Sequence, residues 1–323
     1  MNGAGVNGAV PGAKILGFGG YQPDRVVTND DLAKLVDTSD EWIRTRVGIQ
    51  ERRFAAADES VADMAEAAGA KALAASGLEP SEIDLVIVAT CSPESPMPNV
   101  AASVAYRLGI VAPGAYDLNA ACAGFCYAIG AASDSVRAGS ARNALVIGAE
   151  KMTDWMDWTD RSTCIIFADG AGAAVVGAAA DGEPNGIGPV VWGSAGDQAQ
   201  KIVIEGRNGT LKQDGQAVFR WATSLHPVAL EACRRAGVTP AEISAFIPHQ
   251  ANLRIIEALA KKLGIPRDRV ADDIITAGNT SSASIPLAFS RMAEQGRLQP
   301  GTPALLIAFG AGLSYASQVI TVP

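Results

Sequence analysis

Gly77-Leu-Glu-Pro-Ser-Glu-Ile-Asp-Leu-Val-Ile87 has a counterpart later in the chain, Gly237-Val-Thr-Pro-Ala-Glu-Ile-Ser-Ala-Phe-Ile247. Gly, Pro, Glu and Ile recur at the same steps, and from Gly77 to Gly237 the offset is 160 residues. The offset holds further on. Asn119-Ala-Ala-Cys122-Ala-Gly124 falls on Asn279-Thr-Ser-Ser282-Ala-Ser284, and Ala144-Leu-Val-Ile147 falls on Ala304-Leu-Leu-Ile307. Three segments agreeing in spacing imply two halves of one topology. The period is far too long for a solenoid, so the reading is a duplicated α/β unit. Ile83–Ala89 is rich in branched residues and apolar throughout, as a strand buried on both faces is. Such strands alternating with helices predict a mainly parallel sheet covered on both sides. From about 181 to 215 the chain turns Gly-rich and polar, which divides it into halves 1–180 and 181–323.

The elements around these segments alternate accordingly. Ala13–Gly19 is expected as a first strand. Its Gly17-Phe-Gly19-Gly20 ending is not a dinucleotide fingerprint, because Tyr-Gln-Pro follows where a pyrophosphate-binding helix would begin. Thr28-Asn-Asp-Asp-Leu32 and Asp37-Thr-Ser-Asp40 carry the capping residues and early acids of two helix starts. The Ala-rich stretch Ser60–Ser76 predicts another helix, and the Pro-punctuated loop Ser92–Pro98 precedes a further one. Asn143–Ala149 reads as a buried strand, and Ile165–Val176 as a tight turn leading into one. His226 is expected mid-helix, a structural residue without polar company.

Of the 323 residues 48% are hydrophobic and 19% charged, enough to build one large or two closely packed domains. No apolar run reaches the roughly 18 residues that cross a bilayer, and the opening ten residues lack the basic start and apolar centre of a signal peptide. A flexible tail on a cytoplasmic protein, with no membrane partner, is the expectation. Cys91, Cys122, Cys126, Cys164 and Cys233 are scattered, with no C-x-x-C pair for zinc. Free thiols in a reducing compartment and no metal site follow. The net charge of −8 argues against a nucleic-acid partner, whose phosphates need a basic face.

Chemistry concentrates where the halves differ. Asp117-Leu-Asn-Ala-Ala-Cys122 is a short polar turn before an Ala-rich run reaching Ala138, which places Cys122 at the N-terminus of a buried helix. That end favours thiolate and offers N–H groups to an oxyanion. Lowering a thiol pKa from about 8.5 to about 7 needs roughly 2 kcal/mol, and a helix end supplies about 0.3–1. A second group is therefore required. Where the first half has Ala89 at its strand end, the second has His249, in Ile247-Pro-His-Gln-Ala-Asn252. Where the first has its cysteine turn, the second has Asn279. The repeat thus brings Cys122, His249 and Asn279 to the strand ends where open α/β sheets place ligands. An imidazole near Cys122 favours the charged nucleophile, and Asn279 offers a neutral donor. No carboxylate is at hand to orient the histidine. Cys, His and a neutral Asn suit acyl transfer with stabilisation of an enolate or oxyanion, whereas a hydrolase needs a base for water.

Ala120-Ala-Cys122-Ala-Gly-Phe125, Pro248-His249-Gln-Ala-Asn-Leu-Arg254 and Gly278-Asn279-Thr-Ser-Ser-Ala-Ser284 resemble the three signatures of the β-ketoacyl-[acyl-carrier-protein] synthase III family. Asp40-Glu-Trp-Ile43, Asp169-Gly-Ala-Gly-Ala173 and Phe309-Gly-Ala-Gly312 extend the resemblance over nearly the whole chain. It implies an α/β thiolase-type fold, a five-layer αβαβα sandwich of two duplicated halves, in a homodimer. It also implies a decarboxylative Claisen condensation that initiates fatty acid synthesis. Cys122 would take the acyl group of an acyl-CoA primer, and malonyl-[acyl-carrier-protein] would lose CO2 to give the carbanion that attacks it. No cofactor is implied, since acyl-CoA is a substrate.

The resemblance also distributes roles. His249 and Asn279 would hydrogen-bond the malonyl thioester oxygen, and the N–H groups of Cys122 and Ala311 the acyl oxyanion. Trp42, Arg46 and Arg161 are implied at the adenine end of CoA, with Asn252 and Gly215 along the pantetheine tunnel. Trp42 and Arg46, one helical turn apart, share a face. Arg254, Lys261 and Lys262 fall at i, i+7 and i+8 of one helix and with Arg220 resemble the basic face that docks the acidic carrier protein. Met97 and Phe309 are expected at the primer pocket. Met97 stands where acetyl-preferring members carry an aromatic residue that reaches the partner subunit's pocket, so primers longer or more branched than acetyl are expected. The segment 196–214 matches the family poorly, and no ligand contact is carried over to it. A starter ketosynthase or acyltransferase of polyketide or other secondary metabolism is the alternative of the same fold. An inactive acyl-binding partner is the alternative of another class. A thiolase would bring a second cysteine late in the chain, and Phe309–Tyr315 has none.

Overall fold

β1 (Ala13–Tyr21), β2 (Leu85–Ala89), β3 (Gly114–Leu118), β4 (Asn143–Lys151) and β5 (Asp169–Ala178) form one sheet in the order β1-β5-β4-β2-β3. β6 (Val191–Ser194), β7 (Ala245–Pro248), β8 (Pro303–Gly310) and β9 (Ser314–Thr321) form a second in the order β6-β9-β8-β7. A parallel bridge from Phe246 to Val270 stands where the first sheet has β3. The two orders therefore correspond strand for strand. The structure, a computed structural model, describes residues 12–180, 182–206 and 209–323. The expected N-terminal tail lies outside them.

Both sheets are mixed, a correction to the mainly parallel expectation. β2 runs parallel to β3 and β4, and β7 parallel to β8. The β4–β5, β5–β1, β8–β9 and β9–β6 pairs are antiparallel. The reason lies in the connections. A parallel return needs a crossover, usually a helix. β9 follows β8 after three residues, and no α-helix separates β4 from β5.

Alternation along the strands sets the layers. In β2, Val86 and Val88 pack against the Val61–Ser76 and Val100–Arg107 helices, while Ile87 and Ala89 turn to the opposite core. In β8, Leu306 faces that same inner core, which holds Phe125, Ile129, Ile285 and Phe289 of the Gly124–Arg137 and Ser284–Glu294 helices. Leu305 and Ile307 face outward to Ala229, Ile256 and Leu259 of the His226–Arg235 and Leu253–Leu263 helices. Period-2 strands that are apolar on both faces thus separate three helical layers, giving αβαβα.

Two local readings are resolved here. A Cβ on Gly19 would lie 2.4 Å from the Ala68 carbonyl oxygen and the Ala72 nitrogen, so glycine lets the Val61–Ser76 helix lie directly on β1. His226 is not mid-helix. The Gly215–Ser224 helix ends, Leu225 intervenes, and His226 opens the next helix. Pro227 cannot supply the N–H that would continue the first helix, but it suits the first turn of the second. Among the described residues no helix is long and apolar enough to cross a membrane.

Candidate active site

Cys122 occupies the tight turn Ala121–Ala123 that leads into the Gly124–Arg137 helix. Asn119 Oδ1 accepts the Ala121 N–H at 3.1 Å, and Ala121 takes φ +46°, a left-handed conformation that costs an alanine about 1 kcal/mol. The second half repeats this turn. Asn279 Oδ1 accepts the Ser281 N–H at 2.8 Å, and Ser281 has φ +50°. The bond commits the oxygen of Asn279 and leaves its amide N–H groups for the cavity that Asn279 lines. Gly310 closes on the nucleophile from β8. A Cβ there would sit 2.8 Å from Cys122 Cβ and 2.9 Å from its nitrogen, so only glycine allows the Gly310–Gly312 loop beside the thiol.

His249 follows directly on β7 and is oriented without a carboxylate. Its Nδ1 lies 2.7 Å from Ser284 Oγ, and Ser284 Oγ accepts the Gln250 N–H at 3.3 Å. With its lone pair engaged by Gln250, the Ser284 hydroxyl donates to Nδ1, and the imidazole proton stays on Nε2. The ring packs edge-on against Phe309, with centroids 5.3 Å apart.

Electrostatics corrects the sequence reading. Burial drives His249 down to about 3, so the ring is neutral at pH 7. Burial also pushes the Cys122 thiol up to about 12; the Ser281 hydroxyl opposes the shift and the Glu150 charge adds to it. The resting pair is therefore a thiol and a neutral imidazole, not a thiolate favoured by its neighbours. Desolvation of a charge outweighs the fraction of a kcal/mol that the short turn and helix end return.

These groups lie in a cavity of about 880 Å³ lined also by Trp42, Arg46, Gly215, Arg220, Asn252, Arg254, Phe309 and Ala311. At its mouth two guanidinium groups flank one indole: Arg161 is 5.1 Å and Arg46 5.6 Å from the Trp42 ring. Arg161 is held by the Asp37 carbonyl at 2.8 Å. Asn252 caps the Leu253–Leu263 helix and donates to the Arg46 carbonyl at 3.2 Å, which ties the two halves together at the mouth. Gly215 opens a helix capped by Asp214, and Arg254 lies over Phe219 at 5.3 Å. Lys261 and Lys262 are exposed and outside the cavity, with Lys262 bonded to the Thr223 carbonyl. Met97 is 78% exposed and does not line the cavity within one chain.

Several lining residues escaped the sequence reading. Ile202, Val203 and Ile204 pair with Leu211–Gln213 as a short antiparallel ladder that walls the cavity, in the segment for which the sequence implies no contact. Their β-branched run in a polar stretch was the available signal. Ser284, Ser281, Cys91 and Glu150 were also missed. Glu150 is an acid within an apolar strand, but its partners come from the other half. All five cysteines are free thiols, and among the described residues no cluster of His, Cys, Asp or Glu could hold a metal ion.

A duplicated αβαβα sandwich with Cys, His and Asn at its seam defines a thiolase-type condensing enzyme. Family models described as 3-oxoacyl-[acyl-carrier-protein] synthase III and its C-terminal part match residues 116–196 and 233–322. β-Ketoacyl-[acyl-carrier-protein] synthase III 4 of Streptomyces coelicolor is 55% identical over 313 residues, covering 97% of this chain and 99% of that protein. The crystal structure of the priming β-ketosynthase of the R1128 polyketide pathway superposes with a TM-score of 0.94 at 43% identity, covering 98% and 99% of the two chains. The 3-oxoacyl-[acyl-carrier-protein] synthase III of Aquifex aeolicus gives 0.91 at 42% identity, covering 96% and 100%. The chain belongs to the β-ketoacyl-[acyl-carrier-protein] synthase III family.

Proposed function

We propose that this protein condenses an acyl-CoA primer with malonyl-[acyl-carrier-protein] through an acyl-Cys122 intermediate, with loss of CO2, as the first condensation of fatty acid synthesis. The observation that carries this reading is the convergence of Cys122, His249 and Asn279 in one cavity whose mouth is framed by Trp42 and Arg46. The indole and the guanidinium groups of Arg46 and Arg161 suit a purine and its phosphates, and Asn252 and Gly215 line the path inward for pantetheine. Backbone N–H groups of Cys122 and Ala311 receive the oxyanion as the thioester is attacked. In the second half-reaction His249 Nε2–H and the Asn279 amide hold the malonyl thioester oxygen as enolate charge develops. Both are neutral donors, so they stabilise developing charge without first neutralising the malonyl carboxylate. Each such donor is worth roughly 2.7–4 kcal/mol.

The remaining assignments belong to the same proposal. Arg220, Arg254, Lys261 and Lys262 form the face that docks an acidic carrier protein on a chain of net charge −8. Halves 1–180 and 181–323 are the two structural units. Exposed Met97, Tyr106 and Val111 near the edge strand β3 support a homodimer, in which Met97 and Phe309 bound the primer pocket. Free thiols support a cytoplasmic location. Primers longer or more branched than acetyl are accepted.

Intact-mass measurement after mixing with acyl-CoA tests the intermediate. One acyl group is expected, and it disappears in Cys122→Ala; an adduct that survives the substitution refutes the nucleophile. A panel of acyl-CoA primers with malonyl carrier protein reads product and primer range together, and turnover with acetyl alone ends the primer argument. The similarity to a priming ketosynthase favours a second reading, a pathway-dedicated starter enzyme of the same chemistry. Strong preference for a pathway carrier protein over that of fatty acid synthesis selects it.

A further inference from the structure

Glu150, near the end of β4, is fully buried behind the nucleophile's turn. The adjacent Lys151 directs its ammonium to the carbonyls of Ala56, Ala57 and Glu59 and so leaves Glu150 to hydrogen-bond donors. Oε2 receives Ser92 Oγ at 2.6 Å, the Cys91 N–H at 3.0 Å and Thr90 Oγ1 at 3.2 Å. Oε1 receives Ser281 Oγ at 2.9 Å, Cys91 Sγ at 3.3 Å and the Ser282 N–H at 3.5 Å. Six donors on two oxygens are the pattern of an acceptor-only carboxylate. The titratable groups that face it are the Cys91 and Cys122 thiols.

Ser281 links this carboxylate to the reacting sulfur. Its hydroxyl hydrogen is committed to Glu150, so its oxygen has lone pairs to offer the Cys122 thiol beside it. Its position is set by the Asn279 bond and the left-handed backbone. His249 is not available for the same task, because its Nδ1 is held by Ser284 and its Nε2 carries a proton. An attacking thiol that starts protonated needs a proton acceptor, and Ser281 with Glu150 forms a path of hydrogen bonds to one.

We propose that Glu150 is a positioning residue that, through Ser281, takes and returns the thiol proton of Cys122. The proposal rests on the acyl-Cys122 reading. As Cys122 Sγ bonds to the thioester carbonyl carbon, its proton passes to Ser281 Oγ and the Ser281 proton passes to Glu150 Oε1. The bond to the CoA sulfur then breaks, and CoA leaves as a thiolate that takes a proton from water. In the condensation the malonyl carbanion bonds to the acyl carbon, the Cys122 thiolate leaves, and it regains its proton from Glu150 through Ser281. The carboxyl stores one proton between the two half-reactions.

Single-turnover acylation of Cys122 by acyl-CoA, followed by intact mass from about pH 6 to about pH 10, tests this in Glu150→Gln and Ser281→Ala. Alanine suits the backbone at 281, because Ala121 holds the matching position with φ +46°. Both variants are expected to acylate on the order of 100-fold more slowly than wild type at pH 7, with the gap narrowing as hydroxide replaces the relay at high pH. A neighbouring negative charge alone predicts the opposite sign, since Glu150→Gln would then ease thiol ionisation and speed acylation. Acylation at or above the wild-type rate at pH 7 overturns the proposal. So does a slowing that is equal at every pH, which marks a structural role and would accompany a lowered melting temperature. Wild-type protein that forms no Cys122 adduct overturns the acyl-enzyme reading and this one with it, whereas acylated wild type with unaffected variants overturns this one alone.

Discussion

At the Cys122 turn, Gly310 leaves its side-chain position empty and the thiol opens on the cavity. At the matching Ser282 turn, 160 residues on from Cys122, the place of Gly310 is taken by Glu150, and Ser282 is 1% exposed with its hydroxyl bonded to the Ala89 carbonyl. The two turns share an Asn hydrogen bond and a left-handed residue, so their backbones are equivalent. Their facing residues are not. A glycine makes one turn a place where a substrate carbonyl can enter, and a carboxylate makes the other a support for it. The strand ends invert the relation: the first half ends in Ala89, the second continues to His249. Duplication supplied geometry twice, and a few substitutions divided the labour.

Erasing the strand-end difference has the largest expected effect. His249→Ala gives the second half the residue of the first, and it and Asn279→Ala should each slow malonyl decarboxylation and condensation by roughly 100- to 1,000-fold while Cys122 is still acylated. Product mass and released CO2 read the two half-reactions separately, and normal condensation in either variant removes the assigned roles. Next, Gly310→Ala places a methyl group against Cys122 Cβ. The displaced turn should acylate about 100-fold more slowly, with little change in secondary structure by circular dichroism.

A smaller effect appears in stability. His249 has a folded pKa of about 3 against an ordinary 6.5, so between these values the unfolded chain binds the extra proton. Acidification through this window should therefore destabilise wild type relative to His249→Gln, by up to about 1.4 kcal/mol per pH unit in urea titrations. Parallel stability curves would contradict a neutral buried ring. The smallest effect is expected at the closed turn. Ser282→Cys in a Cys122→Ala background puts a thiol on the equivalent backbone and should gain no acyl group by intact mass. Acylation there would mean that the residue facing the turn does not decide which half reacts.

The repeat makes much of this legible in the chain itself. The offset linking Cys122 to Ser282 carries over to the short turns Pro80–Glu82 and Pro240–Glu242, and to the helix starts at Gly124 and Ser284. Cys122, His249 and Asn279 can be named because they break the equality of aligned positions. Strand direction is less legible, since a buried apolar run reads alike in parallel and antiparallel pairs. The wall at Ile202–Leu211 escapes notice because it has no counterpart in the first half. Ser284 and Ser281 escape it because a serine in a turn carries no mark of the side chain it will meet.

The amino-acid sequence by itself determined the duplicated α/β architecture, the family and the three reacting side chains. Each of these is encoded in local pattern: apolar runs, turn residues and a repeated spacing. Only the tertiary structure decided the charge states. Thiol and imidazole are both neutral because folding removes the water that would solvate their ions, and a sequence does not show how completely that water is lost. It also decided what supports the nucleophile, since Glu150 and Ser281 are 131 residues apart and meet only when the two halves close on each other.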